Sequence, residues 1–201
     1  MRISGGTVKG RRTATQRLFK KVSTAPRLRP TTSKVREAIF DILRNKIKGA
    51  SFVDLYAGTG MVGFEALSRG SGKVVFVELN KSLVREIEKI ARHLGFQERM
   101  RVINTRAEKF LRKAAARKER FDILFVDPPY FSEELEKVLP LASDVIDNDG
   151  LVIAEHFFKK SLPEKTDNLI LQKSYRYGDS VLTLYKRKSS NEKDSNLSRD
   201  F

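Results

Sequence analysis

Hydrophobic residues follow two alternating patterns along this chain. Short, nearly continuous apolar runs predict strands at 51–56, 73–79, 100–105, 121–127 and 151–157. Between them apolar positions recur every three or four residues, predicting helices at 61–69, 81–94, 107–118 and 132–146; Leu83, Ile87, Ile90, Ala91 and Leu94 mark one face of the second. Alternation of this kind builds a parallel sheet with helices on both faces. An earlier helix is predicted from Val35, Ala38, Ile39, Ile42, Leu43 and Ile47. Arg29-Pro30 forces an extended approach to it, Thr31, Thr32 and Ser33 offer N-cap hydroxyls, and Gly49 offers a C-cap. At the other end, runs at 168–177 and 181–187 are joined by Gly178-Asp179-Ser180 and predict a hairpin. The expected fold is α/β and Rossmann-like, with seven strands, the last antiparallel. Residues 31–187 form the domain, residues 1–30 a small, hairpin-like basic extension, and the polar residues 188–201 a disordered tail.

Composition narrows the setting. The chain's 201 residues suffice for one such domain. No run of about eighteen apolar residues is present, so no membrane span is expected. The basic N-terminus lacks the apolar stretch of a secretory signal, and there is no cysteine, so the expected compartment is the cytoplasm. His93 and His156 each stand alone, which leaves no metal-ligand spacing and no metal in the expectation. The net charge is +15, and its placement is informative: residues 1–36 hold eleven Lys or Arg and no acid. A cationic segment appended to an enzyme-like core points to a polyanion partner. Its basic residues are not interleaved with large apolar ones at helical spacing, so a membrane-surface helix is not supported.

Two motifs carry chemistry. The run at 52–56 leads into Ala57-Gly58-Thr59-Gly60-Met61-Val62-Gly63, a G-x-G-x-x-G opening a helix, and the next strand ends at Glu78, an acid placed to accept both hydroxyls of a ribose. Asp54, Tyr56, Gly58, Gly60, Glu78 and Leu79 are the candidate cofactor contacts. Asp54 is placed to orient the loop or to meet an ammonium. This loop alone serves an NAD-dependent dehydrogenase equally well. The second motif, Asp127-Pro128-Pro129-Tyr130, follows the apolar run at 121–126. A carboxylate and a backbone carbonyl there accept the two N–H groups of an exocyclic amine on a nucleobase and favour a more nucleophilic nitrogen. Pro129, with no N–H and a fixed φ, helps hold the Pro128 carbonyl, and Tyr130 offers a stacking ring for an extruded base. Hydride transfer has no use for this tetrapeptide. The pair of motifs therefore indicates S-adenosylmethionine as cofactor and amine methylation as the reaction, while adenine N6, cytosine N4 and guanine N2 remain open as targets.

Four segments together resemble the bacterial small-subunit (16S) rRNA guanine-N2 methyltransferase family, over roughly residues 1–187. They are Met1-Arg2-Ile3-Ser4-Gly5-Gly6 with Gly10-Arg11, then Leu28-Arg29-Pro30-Thr31-Thr32-Ser33-Lys34-Val35-Arg36-Glu37-Ala38-Ile39-Phe40, then the 54–60 loop, then the 127–130 tetrapeptide. The resemblance implies a class I S-adenosylmethionine-dependent methyltransferase fold. It also implies a guanine N2 in 16S rRNA as target, within the 30S subunit or an assembly intermediate. Related enzymes place an acid or amide after the third strand to contact adenine; here the segment is Asn104-Thr105-Arg106-Ala107-Glu108, making Asn104 and Ala107 the candidates. Lys9, Arg11, Arg12, Arg27, Arg29, Thr31 and Arg36 are the expected RNA contacts. The rival expectations are an adenine-N6 DNA methyltransferase, which would want a separate target-recognition domain, and a non-catalytic ribosome-assembly factor, which would need neither motif intact.

Overall fold

Alternate residues of each central strand enter opposite layers of core. Phe52, Val74, Phe76, Ile123, Phe125, Leu151 and Ile153 point into one layer; Val53, Val75, Val77, Leu124, Val126, Val152 and Ala154 point into the other. This is why the strands read as continuous apolar runs: both faces of the sheet are covered. The computed structural model describes residues 2–11, 32–130 and 132–188. Among the described residues five α-helices flank the sheet: α1 (Ser33–Ile42), α2 (Met61–Ser68), α3 (Lys81–Leu94), α4 (Ala107–Ala116) and α5 (Glu134–Ala142). Side chains of α1, α2 and α3 fill the first layer, and those of α4 and α5 the second.

The strands are β1 (Ser51–Asp54), β2 (Lys73–Glu78), β3 (Met100–Asn104), β4 (Phe121–Val126), β5 (Ile146–Phe157), β6 (Lys165–Thr166), β7 (Leu169–Tyr177) and β8 (Ser180–Arg187). They form one sheet in the order β3-β2-β1-β4-β5-β8-β7-β6. The first five are parallel, and β8 closes antiparallel against β5. The structure therefore has eight strands among the described residues, not seven. The addition, β6, is a two-residue pairing with Leu169 and Ile170, too short to carry a hydrophobic period.

Local chemistry explains most element ends. The Thr32 hydroxyl accepts the Val35 N–H at 3.3 Å and starts α1. Asn80 caps α3 by accepting the N–H groups of Ser82 and Leu83, and Gly95, at φ +74°, ends it. Two expectations need correction. α1 stops at Ile42 and not near Ile47; Gly49 instead donates its N–H to the Gly70 carbonyl in the approach to β1. α5 stops at Ala142 and not at 146, because Ser143, Asp144 and Val145 donate to carbonyls three residues back, tightening the chain into a turn beyond Pro140.

The N-terminal segment begins as a hairpin-like loop, with Ile3 N–H donating to Arg11 carbonyl and Gly10 N–H to Ile3 carbonyl. It is fastened to the body. Ile3 is fully buried, Thr7 N–H bonds the Ser68 carbonyl at 2.8 Å, and Gly6 approaches so closely that a Cβ there would sit 1.9 Å from that same oxygen. The remainder of the expected extension, residues 12–30, and residues 189–201 of the expected tail lie outside the described residues.

Candidate active site

β1 is the pivot of the sheet: it pairs with β2 on one side and β4 on the other. The crossovers therefore diverge at its C-terminal end, where open α/β sheets form their ligand crevice. Register brings the two motifs together there. Asp54 is level with Phe76 of β2 and Phe125 of β4, so Glu78 and Asp127 lie two residues further along, on either side of the loop that leaves β1. That loop is tied to both neighbours, Leu55 N–H donating to the Phe125 carbonyl at 2.9 Å and Ala57 N–H to the Val77 carbonyl at 3.0 Å.

The loop glycines answer to geometry. Gly60 has φ +75°, and a Cβ there would lie 3.0–3.2 Å from Phe64, Ile87 and Phe76. At Gly63 a Cβ would lie 2.2 Å from the Phe76 ring, so this glycine lets α2 settle against β2. The Gly63 N–H donates to Asp54 Oδ2 at 3.0 Å, making the buried Asp54 an anchor for the first turn of α2. Burial, opposed by that N–H and reinforced by the charge of Glu78, pushes the Asp54 carboxyl up to about 7.

Glu78 is held from both sides. Its Oε2 accepts the Gly58 N–H at 2.8 Å and its Oε1 the Asn80 N–H at 2.7 Å, while burial raises its pKa against these bonds. The Leu79 backbone N–H also reaches this carboxylate, which with about four acceptor positions still has room for a ligand hydroxyl. Asn104 spends its amide N–H groups on the carbonyls of Glu78 and Leu79, at 2.9 and 2.8 Å, and so fixes the backbone at the end of β2. Leu79 is 57 % exposed, the one large hydrophobic so exposed among the described residues, and its face is suited to covering a flat apolar ring. Two other candidates are engaged elsewhere. The Ala107 side chain is buried in the core, and the Tyr56 hydroxyl donates to Glu134 Oε2 at 3.0 Å, which leaves Tyr56 only its ring to offer.

At the end of β4, Asp127 and Tyr130 are half-buried, Pro128 is buried and Pro129 exposed. The turn closes on the carbonyl of Pro129, which accepts the Ser132 N–H at 3.0 Å and its hydroxyl at 2.7 Å. Tyr130 is fixed by its hydroxyl, 3.2 Å from Glu155 Oε1 and 2.5 Å from Ser180 Oγ. Burial raises this phenol to about 12, with the charges of Glu155 and Asp127 adding and the Ser180 bond opposing. Tyr130 thus keeps its proton at neutral pH, and its ring is what it can offer a ligand. Glu155 and Ser180 were missed in the sequence; the signal was an acid set at the end of an otherwise apolar strand.

Among the expected RNA contacts, Lys9 and Arg11 are exposed, whereas Arg12, Arg27, Arg29 and Thr31 lie outside the described residues. Arg36 requires correction. It is 3 % exposed, donates Nη2 to the Arg2 carbonyl at 2.9 Å and stands 3.6 Å from Glu65, so it pins the N-terminal segment to α1 and α2 and does not face a polyanion.

A sheet of this order, with a glycine loop after β1, an acid ending β2 and the tetrapeptide ending β4, has the Rossmann-like fold of S-adenosylmethionine-dependent methyltransferases. The family described as conserved hypothetical protein 95 matches residues 1–186, and the chain belongs to that family. Ribosomal RNA small subunit methyltransferase D of Escherichia coli K12 is 32 % identical over 97 % of this chain and 94 % of its own length. A Bacillus subtilis protein, provisionally named an rRNA methyltransferase, is also 32 % identical, over 94 % of this chain and its whole length. A solved Escherichia coli structure, provisionally described as a methyltransferase, superposes with TM-score 0.76 at 31 % identity, covering 94 % of this chain and 98 % of that one.

Proposed function

We propose that the protein methylates the N2 amino group of a guanine in 16S rRNA, using S-adenosylmethionine, on the 30S subunit or an assembly intermediate in the cytoplasm. The observation that carries this reading is the register that sets Asp127, just past the end of β4, level with Glu78 across the loop that leaves β1, with Tyr130 three residues on. The residues present fit the cofactor: Glu78 has acceptor capacity for a ribose hydroxyl, Leu79 an exposed apolar face for adenine, and the glycine loop, anchored by Asp54, a close-approach seat for the methionine end. When bound, S-adenosylmethionine supplies a sulfonium-activated methyl group and leaves as the neutral thioether.

The protein's own contribution is positional. The ring of Tyr130, fixed by Glu155 and Ser180, stacks on the extruded guanine. Asp127 and the Pro128 carbonyl accept the two amino hydrogens, directing the nitrogen lone pair toward the methyl carbon. As the new N–C bond forms, the nitrogen sheds one proton, and the Asp127 carboxylate receives it. Holding nitrogen and methyl in line supplies most of the acceleration.

The test is transfer of tritium from labelled S-adenosylmethionine to 16S rRNA, offered naked and as 30S particles from cells lacking such an enzyme, followed by nucleoside analysis. Label is expected in N2-methylguanosine. Asp127→Ala should lower turnover by about 10²-fold or more with cofactor affinity kept. Label in another nucleoside would overturn the guanine assignment, and an active Asp127→Ala would overturn the catalytic one.

A further inference from the structure

An aromatic and cationic ridge continues outward from Tyr130. The Tyr130 ring centroid lies 6.0 Å from that of Phe157, which lies 4.7 Å from that of Phe158. The Arg176 Cζ sits over the Phe158 ring at 4.1 Å, and Lys159 Nζ lies 5.8 Å from the same centroid. The β7–β8 turn locks this arrangement: Arg176 Nε donates to the Gly178 carbonyl and the Phe158 N–H to the Asp179 carbonyl, both at 2.9 Å. Phe157 and Phe158 are half-buried, while Arg176 and Lys159 are exposed. Neither the cofactor seat nor the acid–carbonyl pair uses Phe158, Lys159 or Arg176.

We propose that Phe158 and Arg176, with Lys159, form a platform for the nucleotide next to the target guanine. This rests on the RNA-methylation reading of the neighbouring site. A guanidinium seated on an aromatic ring turns an outer planar face to solvent, and such a face stacks on a base of any identity while its N–H groups reach phosphate. Lys159 adds a second cation on the same rim. The ridge is continuous with the ring assigned to the flipped base, so a strand with one base on Tyr130 presents the neighbouring nucleotide to Arg176. Extruding a guanine costs stacking with its neighbours; a platform for the adjacent base replaces part of what is lost. The occupant is therefore single-stranded or locally opened RNA, held without sequence reading.

The chain contains no tryptophan, so Phe158→Trp introduces its sole indole while keeping an aromatic seat for Arg176. Naked 16S rRNA titrated against this variant should quench the indole fluorescence. Arg176→Ala, on an exposed side chain, should raise KM for 16S rRNA about tenfold, with kcat at saturating RNA and cofactor affinity unchanged. Phe158→Ala should do the same. Unquenched indole, a wild-type KM in Arg176→Ala, or a fall in kcat at unchanged KM would each overturn the platform. If wild-type protein labels rRNA and Arg176→Ala matches it, the platform alone fails; if wild-type protein labels no RNA, the methylation reading fails and takes the platform with it.

Discussion

Asp54 shows how a single residue links fold to ligand. It sits at the end of β1 with its carboxyl taken out of water, bonded to the Gly63 N–H and near Glu78. Its pKa is raised from an ordinary 3.8 to about 7, so between those values the folded protein holds a proton that the unfolded chain releases. Stability from this group is therefore complete below about pH 4 and declines as pH rises toward 7. Asp54→Asn retains an oxygen for Gly63 and removes the titration. Urea unfolding at pH 5 and pH 8 should show the variant gaining on wild type as pH rises, and parallel pH dependence in the two proteins would refute the assignment. The sequence marked Asp54 as either loop anchor or ammonium partner, and the structure shows the anchor. What no local pattern revealed were partners distant in sequence: Glu155 and Ser180 under Tyr130, or the turn of Arg36 inward to Glu65. A buried arginine and a surface arginine read alike until the acid that receives one of them is placed in space.

At the scale of elements, hydrophobic period was a faithful guide wherever one layer covers each face. α3 occupies the residues its apolar stripe marks, bounded by Asn80 and Gly95. β1 to β4 likewise end within two residues of their apolar runs. The pattern failed where the chain tightens: Leu43 and Ile47 are buried and apolar, yet beyond Ile42 the N–H groups of Arg44 and Lys46 donate to carbonyls three residues back. β6 rests on one short pairing and left no trace. α2 packs closely against β2 at Gly63. Phe76 is fully buried and cannot yield to a methyl group 2.2 Å from its ring, so Gly63→Ala should shift α2 and cost roughly 1–3 kcal/mol. Because α2 carries the 58–60 loop on its N-terminus, cofactor affinity should fall as well. Thermal unfolding with and without S-adenosylmethionine measures both effects; wild-type stability in this variant would show that the contact relaxes freely.

At the scale of the whole molecule, charge and attachment act together. Among the described basic residues of 1–36, Arg2, Lys9, Arg11 and Lys34 are exposed and Arg36 is buried. The described residues on either side of 12–31 are fastened to the domain. On one side Ile3, Ser4, Gly6 and Thr7 dock on α2, Ser4 through a 2.7 Å bond from its hydroxyl to Glu65; on the other, Thr32 caps α1. On the reading proposed above, an arm joined to the catalytic domain at these points meets phosphates of the same RNA that reaches the crevice, and its contribution to affinity is electrostatic and independent of sequence. Replacing Arg11, Arg12, Arg27 and Arg29 by Ala should weaken binding of 16S rRNA and leave S-adenosylmethionine affinity intact. If all four cations meet single-stranded phosphate, the slope of log K against log salt should flatten by about 3. Measured RNA affinity at two or more salt concentrations decides the matter. An unchanged slope would mean that the arm's charge serves something other than RNA, and a lost cofactor affinity would mean that it shapes the domain and not the substrate.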